Sequence, residues 1–121
     1  MVDDEPPLLR MLSLYLGRLG YRVTPAETTE AAWALVEADP SAFALAVLDG
    51  SMPGIAMHDL ALRMLNANLE LRVLAASGYP VDLTMLAEAA PGRVDFLQKP
   101  FTPEMLAAAL RGLLGTQEEN L

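Results

Sequence analysis

Residues 43–54, FALAVLDGSMPG, join a short apolar run directly to an acidic loop that contains two glycines. Continuous apolar residues from Phe43 to Leu48 are typical of a strand that is buried on both faces of a parallel sheet. The loop that follows begins with Asp49, immediately after the last apolar residue. This stretch therefore predicts a buried strand that carries an acid at its carboxyl end.

The same alternation of apolar runs and helical patterns continues on both sides of this stretch. Further short strands are predicted at residues 1–2, 21–25, 71–76 and 94–97. Helices are predicted at residues 6–19 (stopped by Gly20), from Thr28 or Thr29 to residue 38, at 59–68, at 81–90, and from Thr102 to Gly112 or Gly115. Strands that alternate with helices predict right-handed crossovers and a parallel sheet with helices on both faces.

Composition limits what kind of protein this can be. A chain of 121 residues has the length of one domain, and 53% hydrophobic residues are enough for a core. A net charge of −8 makes nucleic-acid binding unexpected, and the lack of cysteine excludes disulfides and thiolate metal sites. Neither a signal peptide nor a membrane span is predicted, so we expect a cytoplasmic domain over residues 1–116 and a frayed tail over 117–121.

Polar side chains follow four of the predicted strands at the point where each strand ends. Asp3 and Asp4 follow the first strand, Asp49 the third, Ser77 the fourth and Lys99 the fifth. Ligands of parallel α/β sheets bind beyond these carboxyl ends, so the five side chains are predicted to converge. Three converging carboxylates need a hard cation to neutralise them, and a ligand set without His or Cys suits Mg²⁺ or Mn²⁺.

A carboxylate beside such a cation can act as a nucleophile toward phosphorus and form an acyl phosphate. The transferred phosphoryl group carries negative charge on its oxygens, and this charge needs a cation and a hydrogen-bond donor. Lys99, the single lysine of the chain, can supply the ammonium group, and Ser77 can supply the hydroxyl.

Each of these features also has an ordinary explanation when it is taken alone. Acids before a helix favour its N-terminus, Asp49-Gly50 and Ser77-Gly78 are common turn dipeptides, and Lys99-Pro100 by itself says little. Their placement at four separate strand ends is what favours the functional interpretation.

Four segments together resemble the receiver domain of two-component response regulators: VDDE at 2–5, VLDGSMPG at 47–54, AASGY at 75–79 and FLQKPF at 96–101. The resemblance covers essentially the whole chain. It implies an α/β, flavodoxin-like, doubly wound sandwich with a parallel five-stranded sheet of order 2-1-3-4-5. The first strand would be shortened, since only two residues precede the acid pair, which would suit a truncated chain or a missing upstream segment.

The resemblance also implies a role for each matching residue. Asp49 would be the phosphoacceptor, with Asp3, Asp4 and the backbone carbonyl of Ser51 completing the binding site for Mg²⁺ or Mn²⁺. Lys99 would place its ammonium group against the phosphoryl group, and the peptide bond from Lys99 to Pro100 is usually cis in this family. Ser77 would be the hydroxyl that responds to phosphorylation. Phe96 and Tyr79 would be the aromatic residues that change position with it.

The implied function is that of a signalling receiver rather than an enzyme. Asp49 would take a phosphoryl group from a phosphohistidine of a sensor histidine kinase or histidine phosphotransfer protein, and lose it slowly to water. The output would be a change at the surface of the fourth helix, fifth strand and fifth helix; no direct binding to nucleic acid or membrane is expected, while dimerisation is possible. The wording of AASGY and FLQKPF further resembles receivers of hybrid histidine kinases.

Two alternatives remain open at this stage. One is a pseudo-receiver that only binds a partner protein, because a distorted first strand would misplace Asp3 and Asp4. The other is a small phosphohydrolase of the haloacid-dehalogenase type, although Ser51 stands where that chemistry requires a second aspartate.

Overall fold

A parallel sheet of three strands lies at the centre of the computed structural model, which describes residues 1–114. The strands, in sheet order, are β1 (Leu45–Asp49), β2 (Arg72–Ser77) and β3 (Val94–Gln98). The helices are α1 (Pro6–Arg18), α2 (Thr29–Ala38), α3 (Met57–Ala67), α4 (Thr84–Ala89) and α5 (Pro103–Leu114), with a short 3-10 helix at Pro40–Ala42. The α/β class and the parallel sheet predicted from the sequence are therefore confirmed.

The five-stranded sheet is present only in part. The first predicted strand is reduced to Val2, which forms isolated parallel bridges to Ala26 on one side and to Leu48 of β1 on the other. The second predicted strand, residues 21–25, is not a strand in the structure. The parallel register that sets Val2 beside Ala26 leaves residues 21–24 with no residue of this sequence opposite them, and a strand needs a paired neighbour.

Helix ends follow the local signals in part. The predicted third helix, at residues 59–68, begins two residues earlier, at Met57. Gly20, with φ of 100°, comes two residues after α1 ends, as predicted. The predicted fourth helix, at residues 81–90, is too long, because α4 begins only at Thr84. The backbone N–H of Thr84 donates to Asp82 Oδ1 over 2.9 Å. Gly112 does not close α5, which continues to Leu114. Gly115 and the predicted tail at 117–121 lie outside the described residues.

Two apolar clusters, one on each face of the sheet, form the core. Ala46 and Leu48 of β1 pack with α2, α3 and α4, whereas Val47 of β1 and Leu74 of β2 pack with α1 and α5. Alternate residues of the same strand are thus buried on opposite faces, as expected for a sheet covered by helices on both sides. This layering places the carboxyl ends of the strands at one exposed edge.

Arg93 closes the opposite edge of the sheet. Its guanidinium donates to the carbonyl oxygens of Leu71 (2.9 Å), Asn68 (2.7 Å) and Leu65 (3.1 Å). The planar guanidinium of this one residue therefore joins the end of α3 and the loop after it to the start of β3. Among residues 1–114, no helix is both long and apolar enough to cross a bilayer.

Candidate functional site

The three predicted acids meet at the carboxyl edge of the sheet. Asp3, Asp4 and Asp49 each place a carboxylate oxygen within 4.8 Å of the others. Asp49 ends β1, and Asp3 and Asp4 are brought beside it because Val2 bridges to Leu48. Asp3 and Asp49 are buried, whereas Asp4 is exposed to solvent. A single residue of sheet pairing is therefore enough to assemble the cluster.

Lys99 lies against the two buried acids. Its Nζ is 2.9 Å from Asp3 Oδ2 and 3.3 Å from Asp49 Oδ2. Burial alone would lower the pKa of the Lys99 ammonium, but the hydrogen bond to Asp3 and the charges of Asp3 and Asp49 outweigh burial and raise that pKa. The Lys99–Pro100 peptide bond is cis, as the resemblance implied.

The second oxygen of the Asp49 carboxylate is held from its own loop. The backbone N–H and the hydroxyl of Ser51 donate to Asp49 Oδ1 over 3.1 Å and 2.9 Å. The sequence pointed only to the carbonyl of Ser51, so this role of its side chain was missed. An Asp followed two residues later by Ser is a pattern for such an Asx-turn, and it could have revealed the contact.

Ser77 ends β2 directly beside the loop that follows Asp49. The residue is 2% exposed, and its hydroxyl accepts from the backbone N–H of Tyr79 over 3.1 Å. A Cβ added to Gly50 would lie 3.2 Å from Ser77 Cβ and 3.4 Å from Ser77 Oγ. The absence of a side chain at position 50 therefore allows the serine to approach the loop that carries Asp49.

The two predicted switch aromatics lie outside the acid cluster. Phe96 is within β3, opposite Ala75, and is partly buried against the core on the α3 and α4 side. Tyr79 is in the loop between β2 and α4, and 73% of its surface is exposed. The structure thus brings together the acids, Lys99, Ser51 and Ser77, and places the aromatics toward α4.

The donor set fits a hard divalent cation. Three carboxylates face one ammonium group, so the cluster keeps a negative charge when Lys99 is paired with both buried acids. The cluster offers oxygen ligands and no His or Cys, which is the set that Mg²⁺ and Mn²⁺ prefer. The exposure of Asp4 leaves one side of the cluster open to water and to a cation.

Comparison with known families agrees with this geometry. The family model described as "Response regulator receiver domain" matches residues 1–111. The chain belongs to the response regulator receiver family. It is therefore a receiver domain of two-component signalling, a signalling module rather than an enzyme, and the phosphohydrolase alternative was wrong. Receiver domains partner with histidine kinases.

Curated relatives of this receiver domain are longer regulators. It is 32% identical over 114 residues to the response regulator GtcR of Aneurinibacillus migulanus, covering 94% of this chain and 46% of that protein. It is 33% identical over 119 residues to the phosphate regulon transcriptional regulatory protein PhoB of Pseudomonas aeruginosa, covering 94% and 50%. The receiver domain thus spans about half the length of these relatives.

Solved receiver structures share the fold. A CheY-like receiver domain from Methanospirillum hungatei superposes with a TM-score of 0.83 at 23% identity, over 99% of this chain and 94% of that one. The receiver domain of the hybrid histidine kinase CckA gives 0.78 at 26% identity, over 93% and 94%. A Burkholderia pseudomallei response regulator, solved with a phosphorylated aspartic acid and a calcium ion, gives 0.75 at 25% identity, over 98% and 69%. The hybrid-kinase origin of the present receiver stays a prediction.

Proposed function

We propose that Asp49 is the phosphoacceptor of this receiver and takes its phosphoryl group from a phosphohistidine of a histidine kinase or histidine phosphotransfer protein. The observation that carries this proposal is the position of the Asp49 carboxylate, buried between Lys99 and two further acids. A carboxylate in such a setting can act as a nucleophile, and the negative charge of the phosphoryl group that it receives can be neutralised by Lys99 and a bound cation.

The transfer exchanges one bond to phosphorus for another. A carboxylate oxygen of Asp49 forms a bond to phosphorus while the P–N bond of the donor breaks. The electron pair of that bond stays on the ring nitrogen of the donor histidine, which takes up a proton. Slow attack of water on the acyl phosphate then returns Asp49 to its free form.

Asp3, Asp4 and Asp49, with the backbone carbonyl of Ser51, are the residues that would hold Mg²⁺ or Mn²⁺. The bound cation supplies positive charge to the oxygens of the transferred group. Asp3 accepts both the Lys99 ammonium and the backbone N–H of Glu5 (3.1 Å), so its orientation is fixed before a metal binds. Asp4, which is exposed, completes the set from the solvent side.

Lys99 and Ser77 serve the phosphoryl group in different ways. Lys99 already contacts Asp49 and needs only to turn its ammonium from a carboxylate to a phosphoryl oxygen. Ser77 has its hydroxyl in a local bond with Tyr79, and redirecting it moves the loop after β2. We therefore expect the output at the surface of α4, β3 and α5, where Tyr79 and Phe96 contribute to the switch, as a shift between two populations.

Acetyl phosphate with Mg²⁺, followed by intact-protein mass spectrometry, tests the proposal. The parent chain should gain one phosphoryl group and Asp49→Asn should gain none. Asp59→Asn, which changes an exposed acid of α3 outside the cluster, is the matched control and should behave like the parent. A folded parent that gains nothing would make the chain a pseudo-receiver, and a phosphorylated Asp49→Asn would move the acceptor elsewhere.

A further inference from the structure

A buried hydroxyl at the start of α2 reaches into the loop that follows Asp49. Thr29 is 2% exposed, and its Oγ1 accepts from the backbone N–H of Ile55 over 2.9 Å. The same hydroxyl lies 3.4 Å from the carbonyl oxygen of Pro53 and 3.1 Å from Glu30 Oε1. One side chain thus contacts both arms of the short turn at residues 53–55.

Gly54 lies at the centre of this contact. Its φ is 97°, and a Cβ built on it would meet Thr29 Oγ1 and both carboxylate oxygens of Glu30. The backbone of the turn therefore approaches the first turn of α2 as closely as a glycine permits. This close contact fixes the position of the turn relative to α2.

The segment that connects the turn to the acceptor is held at both of its ends. At one end the N–H and hydroxyl of Ser51 donate to Asp49, and at the other the backbone N–H of Ile55 donates to the Thr29 hydroxyl, which also lies against the carbonyl of Pro53. Ser51 is only two residues before Pro53, so its carbonyl has little freedom of direction.

We propose that Thr29 is a positioning residue for the metal site, because it fixes the direction of the Ser51 carbonyl through the turn at 53–55. This inference rests on the proposed function, in which that carbonyl is one of the metal ligands. Thr29 itself touches neither the metal nor the phosphoryl group. Partners that orient a ligand from outside its immediate shell commonly affect metal affinity about tenfold or more when they are removed.

The chain supplies a matched control in the preceding residue. Thr28 also places a hydroxyl at the start of α2, but it is exposed and its side chain accepts from the backbone N–H of Ala31, as an ordinary N-cap. Removal of the Thr28 hydroxyl weakens the N-cap of α2, and removal of the Thr29 hydroxyl breaks the bond between the start of α2 and the turn. Only removal of the Thr29 hydroxyl releases the turn at 53–55.

The experiment compares Thr29→Val and Thr28→Val with the parent at a temperature where circular dichroism shows all three folded. Mn²⁺ binding is followed by electron paramagnetic resonance, and exchange of the Ile55 amide hydrogen by NMR. We expect Thr29→Val to bind Mn²⁺ about tenfold more weakly and to exchange the Ile55 amide faster. Thr28→Val should match the parent in both, and Thr29→Ser, which restores the hydroxyl, should return both values toward the parent. If Thr29→Val does not fold, Thr29→Ala replaces it.

Two results would overturn the inference: parent-like Mn²⁺ affinity in Thr29→Val, or an equal loss in Thr28→Val. Failure of the proposed function looks different. A parent that binds no Mn²⁺ while the Ile55 amide still responds to Thr29→Val removes the metal site and the role inferred for Thr29 in it, but leaves the contact with the turn established.

Discussion

Lys99 gives the site without metal a distinctive dependence on pH. Its pKa in the folded protein is raised above the ordinary 10.5 because the contacts with Asp3 and Asp49 outweigh the effect of burial. A raised pKa means that the ammonium stabilises the fold fully below pH 10.5, and that this contribution is lost as the pH rises through the folded-state pKa. The sign is opposite to that of a paired carboxylate.

We therefore predict that Lys99→Met is less stable than the parent at neutral pH and that the difference narrows above pH 10.5. Urea unfolding in the presence of a metal chelator, at a series of pH values, measures this difference. The parent and variant share all three tyrosines, so tyrosine titration cancels in the comparison. A difference that stays constant across the series would show that the ion pairs contribute nothing to the fold.

Asp49→Asn separates the charge of the acceptor from its shape. The amide keeps an oxygen for the two Ser51 donors and removes one of three clustered negative charges. Without a divalent cation we expect the free energy of unfolding to rise by about 1 kcal/mol, since like-charge repulsion is relieved while Lys99 keeps Asp3. Saturating Mg²⁺ should erase this advantage, because the parent then binds the cation better. Urea unfolding with and without Mg²⁺ checks both, and a variant less stable than the parent in chelator would contradict the prediction.

The acidic and basic residues of the site could be predicted because each one follows an apolar run that the sequence marks as a strand. Asp49 and Lys99 needed no knowledge of distances, since parallel strands bring their carboxyl ends to one edge. The contacts of Ser51 and Thr29 were not found, because a hydroxyl has several local partners and only the folded loop decides between them. Charge is thus more predictable here than hydrogen bonding.

The loop between β2 and α4 is the element that we expect to move. Its first hydrogen bond runs from the Tyr79 N–H to the Ser77 hydroxyl, and the same hydroxyl would donate to a phosphoryl oxygen on Asp49. A charge-assisted hydrogen bond of about 1.5–3 kcal/mol is enough to shift a two-state equilibrium about tenfold or more.

Ser77→Ala should accordingly accept a phosphoryl group and fail to change the surface of α4 and β3. NMR chemical shifts of residues 78–98, with and without beryllofluoride and Mg²⁺, measure the change. Ser77→Thr keeps the hydroxyl and is the matched control that should respond. The full parental shift pattern in Ser77→Ala would rule out this serine as the trigger, whereas Lys99→Ala should lose both the response and efficient phosphorylation.

The elements were predicted unequally well. β1 and β2 were found because their residues are apolar on both faces, and α5 because Thr102 caps it, its hydroxyl accepting from the Met105 N–H over 3.1 Å. Residues 21–25 have the composition of a strand, but residues 21–24 have no residue of this sequence opposite them. The helix α4 is shortened by a local turn at Asp82. Composition reports what a segment can form, whereas pairing decides whether a strand forms.

At the scale of the whole molecule, Mg²⁺ should act as a ligand of the folded state alone, because Asp49 is far from Asp3 and Asp4 in the unfolded chain. We predict that millimolar Mg²⁺ raises the free energy of unfolding by about 1 kcal/mol, as expected for a site of about millimolar affinity. Thermal unfolding measures this gain. Asp4→Ala should abolish it at little cost to the fold, since Asp4 is exposed, and Asp59→Ala should retain it. If the melting temperature of the parent did not change when Mg²⁺ was added, the pseudo-receiver would be favoured.

The hydrogen bonds of Arg93 should restrict thermal motion at one end of the sheet more than at the other. Its three hydrogen bonds hold together α3, β2 and β3 at the amino ends of the strands, whereas the opposite ends lead into the loops of the site. Nanosecond order parameters should therefore decrease along β2 from residue 72 toward residue 77, and along β3 from residue 94 toward residue 99. The amino ends of β2 and β3 would stay fixed while their carboxyl ends move. A small displacement at the site would then reach the neighbouring helices without changing the contacts around Arg93.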